Sequence, residues 1–165
     1  MAQNPLAGAR DRVAAASEDA QDRNRQWWEQ LPMTYVAWEA EHRGLSGAEA
    51  FASLEANFLR LNPWLGEKFD FTKFAGRKVL EIGCGAGAAA CLFAKGDAEV
   101  DAIDITENAV RLTRENAAAQ GLEMTVEQMD AERIRFPADS FDFVFSRGVL
   151  HHSRNTEAAI GEVGR

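Results

Sequence analysis

The chain has 165 residues, 46% hydrophobic and 27% charged, with a formal net charge of -8. That length holds one ordinary domain, or a small domain with a helical extension, and the composition excludes disordered and fibrous classes. The acidic balance excludes a polyanion-wrapping surface, because such surfaces carry a lysine and arginine excess, so no nucleic-acid partner is expected.

Met1 to Ala20 is polar and alanine-rich, without the apolar run of a signal peptide, and no later stretch reaches the length of a membrane span. The helix expected next, with Asp11, Arg12, Asp22, Arg23 and Arg25 among alanines, is ended by Pro32, and Glu18, Asp19 and Asp22 read as its solvated face. Trp27, Trp28, Tyr35 and Trp38 form an aromatic group, read either as a cover over an acceptor pocket or as packing. Met33 and Val36 accompany it, His42 reads as a surface residue and Gly44 breaks the pattern. From Ser46, an N-cap with Glu49 three residues on, Phe51, Leu54, Phe58 and Leu61 recur at helical spacing up to a stop near Asn62 and Pro63.

Beyond the FDFTKFAG connection, strands and helices alternate, the signature of a parallel α/β sheet. Strands are expected at Lys78 to Ile82, Glu99 to Ile103, Met124 to Gln128 and Phe141 to Phe145. Helices are expected at Ala86 to Lys95, at Glu107 to Gln120 with Thr106 as N-cap and Gly121 as terminator, and from Thr156 to Val163. The two cysteines, Cys84 and Cys91, have no second pair and no histidine spaced to complete a zinc site, so no metal is expected and a reduced, cytoplasmic setting fits.

The first strand, VLEI, runs into Gly83, Cys84, Gly85, Ala86 and Gly87, and a helix follows at once. Glycines permit a sharp turn and close approach to a ligand, and the helix start favours an anionic group. Gly83, Gly85 and Ala88 also satisfy the dinucleotide pattern, which keeps an NAD-dependent oxidoreductase open as an alternative. Asp104 ends the second strand, where a carboxylate accepts both ribose hydroxyls under either reading; Asp101 competes from within the strand. Cys84 reads as a small residue that fits the turn rather than as a nucleophile, and Cys91 as core packing.

EIGCGAG, followed in order by IDIT, MDAE, FPADSFDFVFS and VLHH, resembles the class I S-adenosylmethionine-dependent methyltransferases over roughly residues 76 to 165. The resemblance implies a three-layer, Rossmann-like α/β methyltransferase fold with S-adenosylmethionine as cofactor. It also implies that Glu81 organises the methionine end, that Gly83, Cys84, Gly85 and Gly87 pass beside methionine and ribose, and that Asp104 holds the ribose with Ile105 flanking the adenine. By the same resemblance Asp130 reaches the adenine amino group with Ala131 beside it, and Ser146 and Arg147 line the methionine side. His151 and His152 follow the fourth strand, where an acceptor would approach; His151 is the candidate base, against the alternative that the pair caps or packs the next helix.

Members of this family usually have seven strands, and only four are recognisable here. The fold is therefore expected to be incomplete, with residues 1–74 a helical extension and residues 75–165 a partial S-adenosylmethionine-binding domain that lacks its C-terminal strands and has weak or no turnover by itself. The function read from the chain is methyl transfer to a small-molecule acceptor, the alternatives being the oxidoreductase and a non-catalytic methyltransferase-like partner subunit.

Overall fold

The computed structural model describes residues 20–30 and 47–165. The Ser46 cap, the Pro32 and Gly44 breaks, the segment carrying Met33, Tyr35, Val36 and Trp38, and Glu18, Asp19 and His42 lie outside the described residues. Helix α1 occupies residues 20–30. Helix α2 runs over Gly47–Leu61 and buries Leu54 and Phe58 of its apolar stripe. It stops where expected, because the Asn62 side chain donates to the Phe58 carbonyl at 2.7 Å. Pro63, just beyond that stop, also opens helix α3, Pro63–Lys68. Its ring presets a helical φ, and a first-turn N–H would have no intrahelical partner anyway. The FDFTKFAG connection contains a 3-10 turn, Phe71–Phe74, begun by Asp70, whose side chain accepts from the Thr72 N–H.

Strands β1 (Lys78–Ile82), β2 (Glu99–Asp104), β3 (Thr125–Gln128) and β4 (Phe143–Ser146) alternate with helices α4 (Ala88–Lys95), α5 (Glu107–Ala119) and, after a 3-10 turn at Leu150–His152, α6 (Thr156–Val163). Strand β4 begins later than the sequence suggested, because Phe141 packs edge-on against Phe136, ring centroids 5.0 Å apart, instead of joining the ladder. The sheet order is β3-β2-β1-β4, and every neighbouring pair is parallel. Ile82 pairs with both Ile103 and Ser146, and Asp104 with Gln128, so the carboxyl ends of the strands finish level with one another. This is a Rossmann-like α/β topology, with the order reversing between β1 and β4, where such sheets open a crevice.

The period-two alternation of β1 divides the core. Val79 joins Phe58, Leu65, Phe93, Val100, Ala102 and Phe145 on the face covered by α2 to α5. Leu80 and Ile82 join Ile103, Met129 and Ala159 of α6 on the other. Phe93 has no exposed surface, and the rings of Phe71, Phe74 and Phe145 stand 4.8, 5.4 and 5.5 Å from it. Burying one such ring contributes about 1.5–3 kcal/mol, so this phenylalanine cluster anchors the helical layer to the sheet. The same alternation puts Glu81 on the Val79 face, beneath α4, without an exposed position to escape to. No described helix is long and apolar enough to cross a membrane.

Candidate functional site

A crevice of about 1090 Å³, partly open to solvent, lies beyond the carboxyl ends of the strands. Glu81, Gly83, Cys84, Gly85, Asp104, Ile105, Asp130, Ala131 and Arg147 line it. Gly83 makes the turn out of β1 at φ +78°, and a Cβ built there falls 2.2 Å from Val149 Cγ2. Its N–H and that of Cys84 both donate to the Ile103 carbonyl, at 2.7 and 3.1 Å, tying the loop to the neighbouring strand. Asp104 completes the clasp: one carboxylate oxygen accepts from the Gly85 N–H at 3.1 Å, the other from the Thr106 N–H and hydroxyl at 2.9 and 2.8 Å. Burial raises the Asp104 pKa against those hydrogen bonds. Asp101, the competing acid, sits mid-strand between Leu80 and Thr125.

Glu81 is 5% exposed, and its Oε2 has no hydrogen-bond partner. Burial pushes its carboxyl up to about 8; the Ala90 backbone N–H pulls the other way, and the charge of Asp104 adds to the rise. A buried acid held neutral favours the fold most below its ordinary value of 4.5, and that contribution is lost as pH rises toward 8. The expected slope is up to about 1.4 kcal/mol per pH unit. Urea titrations between pH 5 and 8 are expected to find that slope in the wild type and to find it largely removed in Glu81→Gln; parallel profiles would contradict it.

The buried Cys84 thiol accepts from the Thr113 hydroxyl at 3.3 Å, and burial pushes its pKa well up, which disfavours the thiolate form. Burial likewise pushes the Cys91 thiol up to about 12. Three further residues expected in the site do not line the crevice. Gly87, at φ +82°, faces Thr113, whose Cγ2 stands 2.9 Å from a Cβ built there, so its role is the close approach of α4 to α5. The Ser146 hydroxyl turns back to donate to the Ile82 carbonyl at 3.1 Å, joining two strand ends. The His151 ring lies tilted beside that of His152, centroids 4.0 Å apart, and of the two only His152 lines the crevice. Burial and the neighbouring His151 lower the His152 pKa.

Much of the remaining lining comes from helices α1 and α2, and of these residues only Trp28 carries a site reading in the sequence. Leu54 and Phe58 of α2 supply an apolar wall, with the Arg147 guanidinium 5.5 Å from the Phe58 ring centroid. From α1 come Gln21, Asn24 and Trp28, whose spacing of three and four residues puts them on one helix face, the available signal in the sequence. Gln21 Nε2 donates to both Asp130 oxygens at 3.0 Å, and Asn24 Nδ2 to the His152 carbonyl at 2.8 Å. The aromatic group of the sequence thus divides: Trp28 lines the crevice, edge-on to His152, while Trp27 is 61% exposed.

Residues 79–165, more than half of the chain, match the family described as Methyltransferase domain. The chain belongs to that methyltransferase family. It is 36% identical over 92 residues to the uncharacterized methyltransferase YcgJ of Bacillus subtilis (strain 168), covering 55% of this chain and 36% of that protein. The crystal structure of YcgJ aligns with a TM-score of 0.53 over 55% of this chain and 39% of the other. Identity is 34% over 113 residues to a ubiquinone biosynthesis O-methyltransferase of Stutzerimonas stutzeri (strain A1501), covering 67% of this chain and 47% of that protein. A SAM dependent methyltransferase structure from Aquifex aeolicus aligns at 26% identity and a TM-score of 0.54, covering 67% of this chain and 65% of that one. The chain spans about a third to a half of the length of the curated relatives it matches. Family membership makes S-adenosylmethionine the cofactor, and the oxidoreductase reading is not favoured.

Proposed function

We propose that the chain forms the cofactor-binding part of a methyltransferase that passes the sulfonium methyl of S-adenosylmethionine to a small-molecule acceptor in the cytoplasm, a compartment where free thiols such as Cys84 and Cys91 persist. The observation that carries this reading is the row of carboxylates along one crevice, Glu81, Asp104 and Asp130, at the ends of successive strands β1, β2 and β3. S-adenosylmethionine presents an ammonium, a sulfonium, a ribose diol and an adenine amine, each a donor or a cation. The residues fit it. Glu81 offers the methionine ammonium a buried oxygen with no partner. Asp104, its carboxylate already oriented by Gly85 and Thr106, keeps lone pairs for the ribose hydroxyls. Asp130 would accept from the adenine amino group, and Ile105, which lines the same crevice, would flank the ring.

When bound, the cofactor supplies an electrophilic methyl on its own leaving group. The chain's work is to orient and to exclude water. A cation beside Glu81 favours its carboxylate form, so occupancy draws the proton off that buried acid. Leu54, Phe58, Trp28 and Val149 wall the open side with apolar surface, which suits a small organic acceptor better than a polymer. Calorimetric titration tests the reading: S-adenosylhomocysteine is expected to bind the chain and NAD is not. NAD binding with no S-adenosylhomocysteine heat would overturn it.

A further inference from the structure

Helix α1 does more than wall the crevice. Its inward face is tied to the rim at each end of the nucleoside side. Gln21 Nε2 sits 3.0 Å from each oxygen of Asp130, and Gln21 Oε1 accepts from the Arg154 N–H at 3.4 Å, so the amide is held by both of its ends. One Asp130 oxygen also accepts from the Glu132 N–H at 2.9 Å. One turn along, Asn24 is locked between the His152 carbonyl at 2.8 Å and the Trp28 indole N–H at 2.9 Å. At the far end the Glu29 carboxylate accepts from the first N–H groups of α5, Glu107 and Asn108, at 3.0 and 2.9 Å, three and four residues after Asp104, which ends β2. The contacts from Gln21, Asn24 and Glu29 to the rest of the chain join residues 78 to 133 positions apart.

We propose that α1 is a latch in which Gln21 occupies Asp130 in place of the adenine amino group, so that the cofactor binds by exchanging its amine for the glutamine amide. The chemistry of the two donors is the same: a planar, neutral NH2 group pointed at a carboxylate. Gln21 Nε2, 3.0 Å from each Asp130 oxygen, stands between the two, where another planar NH2 group sharing both oxygens would have to sit, so an incoming amine meets a contact to displace there. The apparent affinity of the chain is then its intrinsic affinity reduced by the fraction of molecules in which the latch is off. The proposal rests on the cofactor reading above and adds an order of events to it, release of Gln21 before the nucleoside seats.

Titration of the full chain with S-adenosylhomocysteine, wild type against Gln21→Ala, tests the latch. Since hydrogen bonds to charged groups are the stronger kind but this one is only part-buried, tightening of about threefold to tenfold is expected in the variant. Unchanged or weaker binding by the variant, with the wild type binding normally, overturns the latch and leaves the cofactor reading standing. Absence of binding to both chains overturns the cofactor reading and the latch with it. Hydrogen exchange on the wild type needs no variant: faster exchange across residues 20–30 on adding S-adenosylhomocysteine supports the latch, and slower exchange, which would mean that α1 closes over the ligand, refutes it.

Discussion

Gly83→Ala is expected to lose a large part of the stability of the chain together with its ability to bind cofactor. Two costs coincide at this residue. An alanine at φ +78° is strained by about 1–2 kcal/mol. Its Cβ would also fall 2.2, 2.6 and 2.9 Å from the three branch atoms of Val149, a β-branched side chain with little rotamer freedom to retreat. Overpacking of this kind costs about 1–3 kcal/mol, so a total of about 2–5 kcal/mol is expected, comparable with much of a small domain's stability. The loop must shift to relieve the overlap, and both of its hydrogen bonds to Ile103 shift with it. Urea denaturation followed by circular dichroism should show a lowered midpoint at unchanged slope. A loss under about 1 kcal/mol would mean that Val149 can move aside, and the close approach of the loop to Val149 would not be a constraint.

Asp104→Ala is expected to weaken S-adenosylhomocysteine binding by at least about a hundredfold. Two hydrogen bonds from ribose hydroxyls to one carboxylate are worth about 1.5–3 kcal/mol each, and each 1.4 kcal/mol is tenfold in affinity. The alanine also strips an acceptor from Gly85 and from Thr106, so the glycine loop and the start of α5 loosen together. Asp104→Asn separates the two effects, because its side-chain oxygen retains one of these acceptors while the charge is gone. The asparagine chain is expected to melt closer to the wild type than the alanine chain and still to bind weakly. Calorimetry and thermal melts on both variants check this, and wild-type affinity in either would move the ribose contact away from Asp104.

Where a feature is made by neighbouring residues, the sequence displays it. The run from VLEI through the glycine turn into an alanine helix needs only period-two burial, left-handed glycines and a helix start. The structure returns β1 over the expected residues, Thr106 as the cap of α5 with its side chain accepting from the Ala109 N–H, and Gly121 at φ +67° just beyond that helix. Asp104 is legible as the residue that ends the second strand, and the structure places it there. What the sequence hides is contact across the chain. Nothing near Gln21 marks it as the partner of an aspartate 109 positions away. Gly87 looks like one more loop glycine until the Thr113 side chain is seen pressed against it. Nothing in the sequence separates the two histidines by position, and in the structure it is His152 that lines the crevice. The helix stop near Asn62 and Pro63 is legible in the sequence, and the structure adds that Pro63 also opens the next helix.

The phenylalanine cluster around Phe93 holds the helical layer on the sheet, and it does so without tryptophan or tyrosine. All four tryptophans and the single tyrosine, at positions 27, 28, 38, 64 and 35, precede β1. Trp27 and Trp28 lie on α1 and Trp64 on α3, so intrinsic emission excited near the red edge of protein absorbance comes from outside the parallel sheet, whereas the amide signal in the far ultraviolet sees helices and strands alike. The two spectroscopies read different halves of one molecule, and the agreement or divergence of their melting curves measures directly whether the rim and the sheet come apart in one cooperative step.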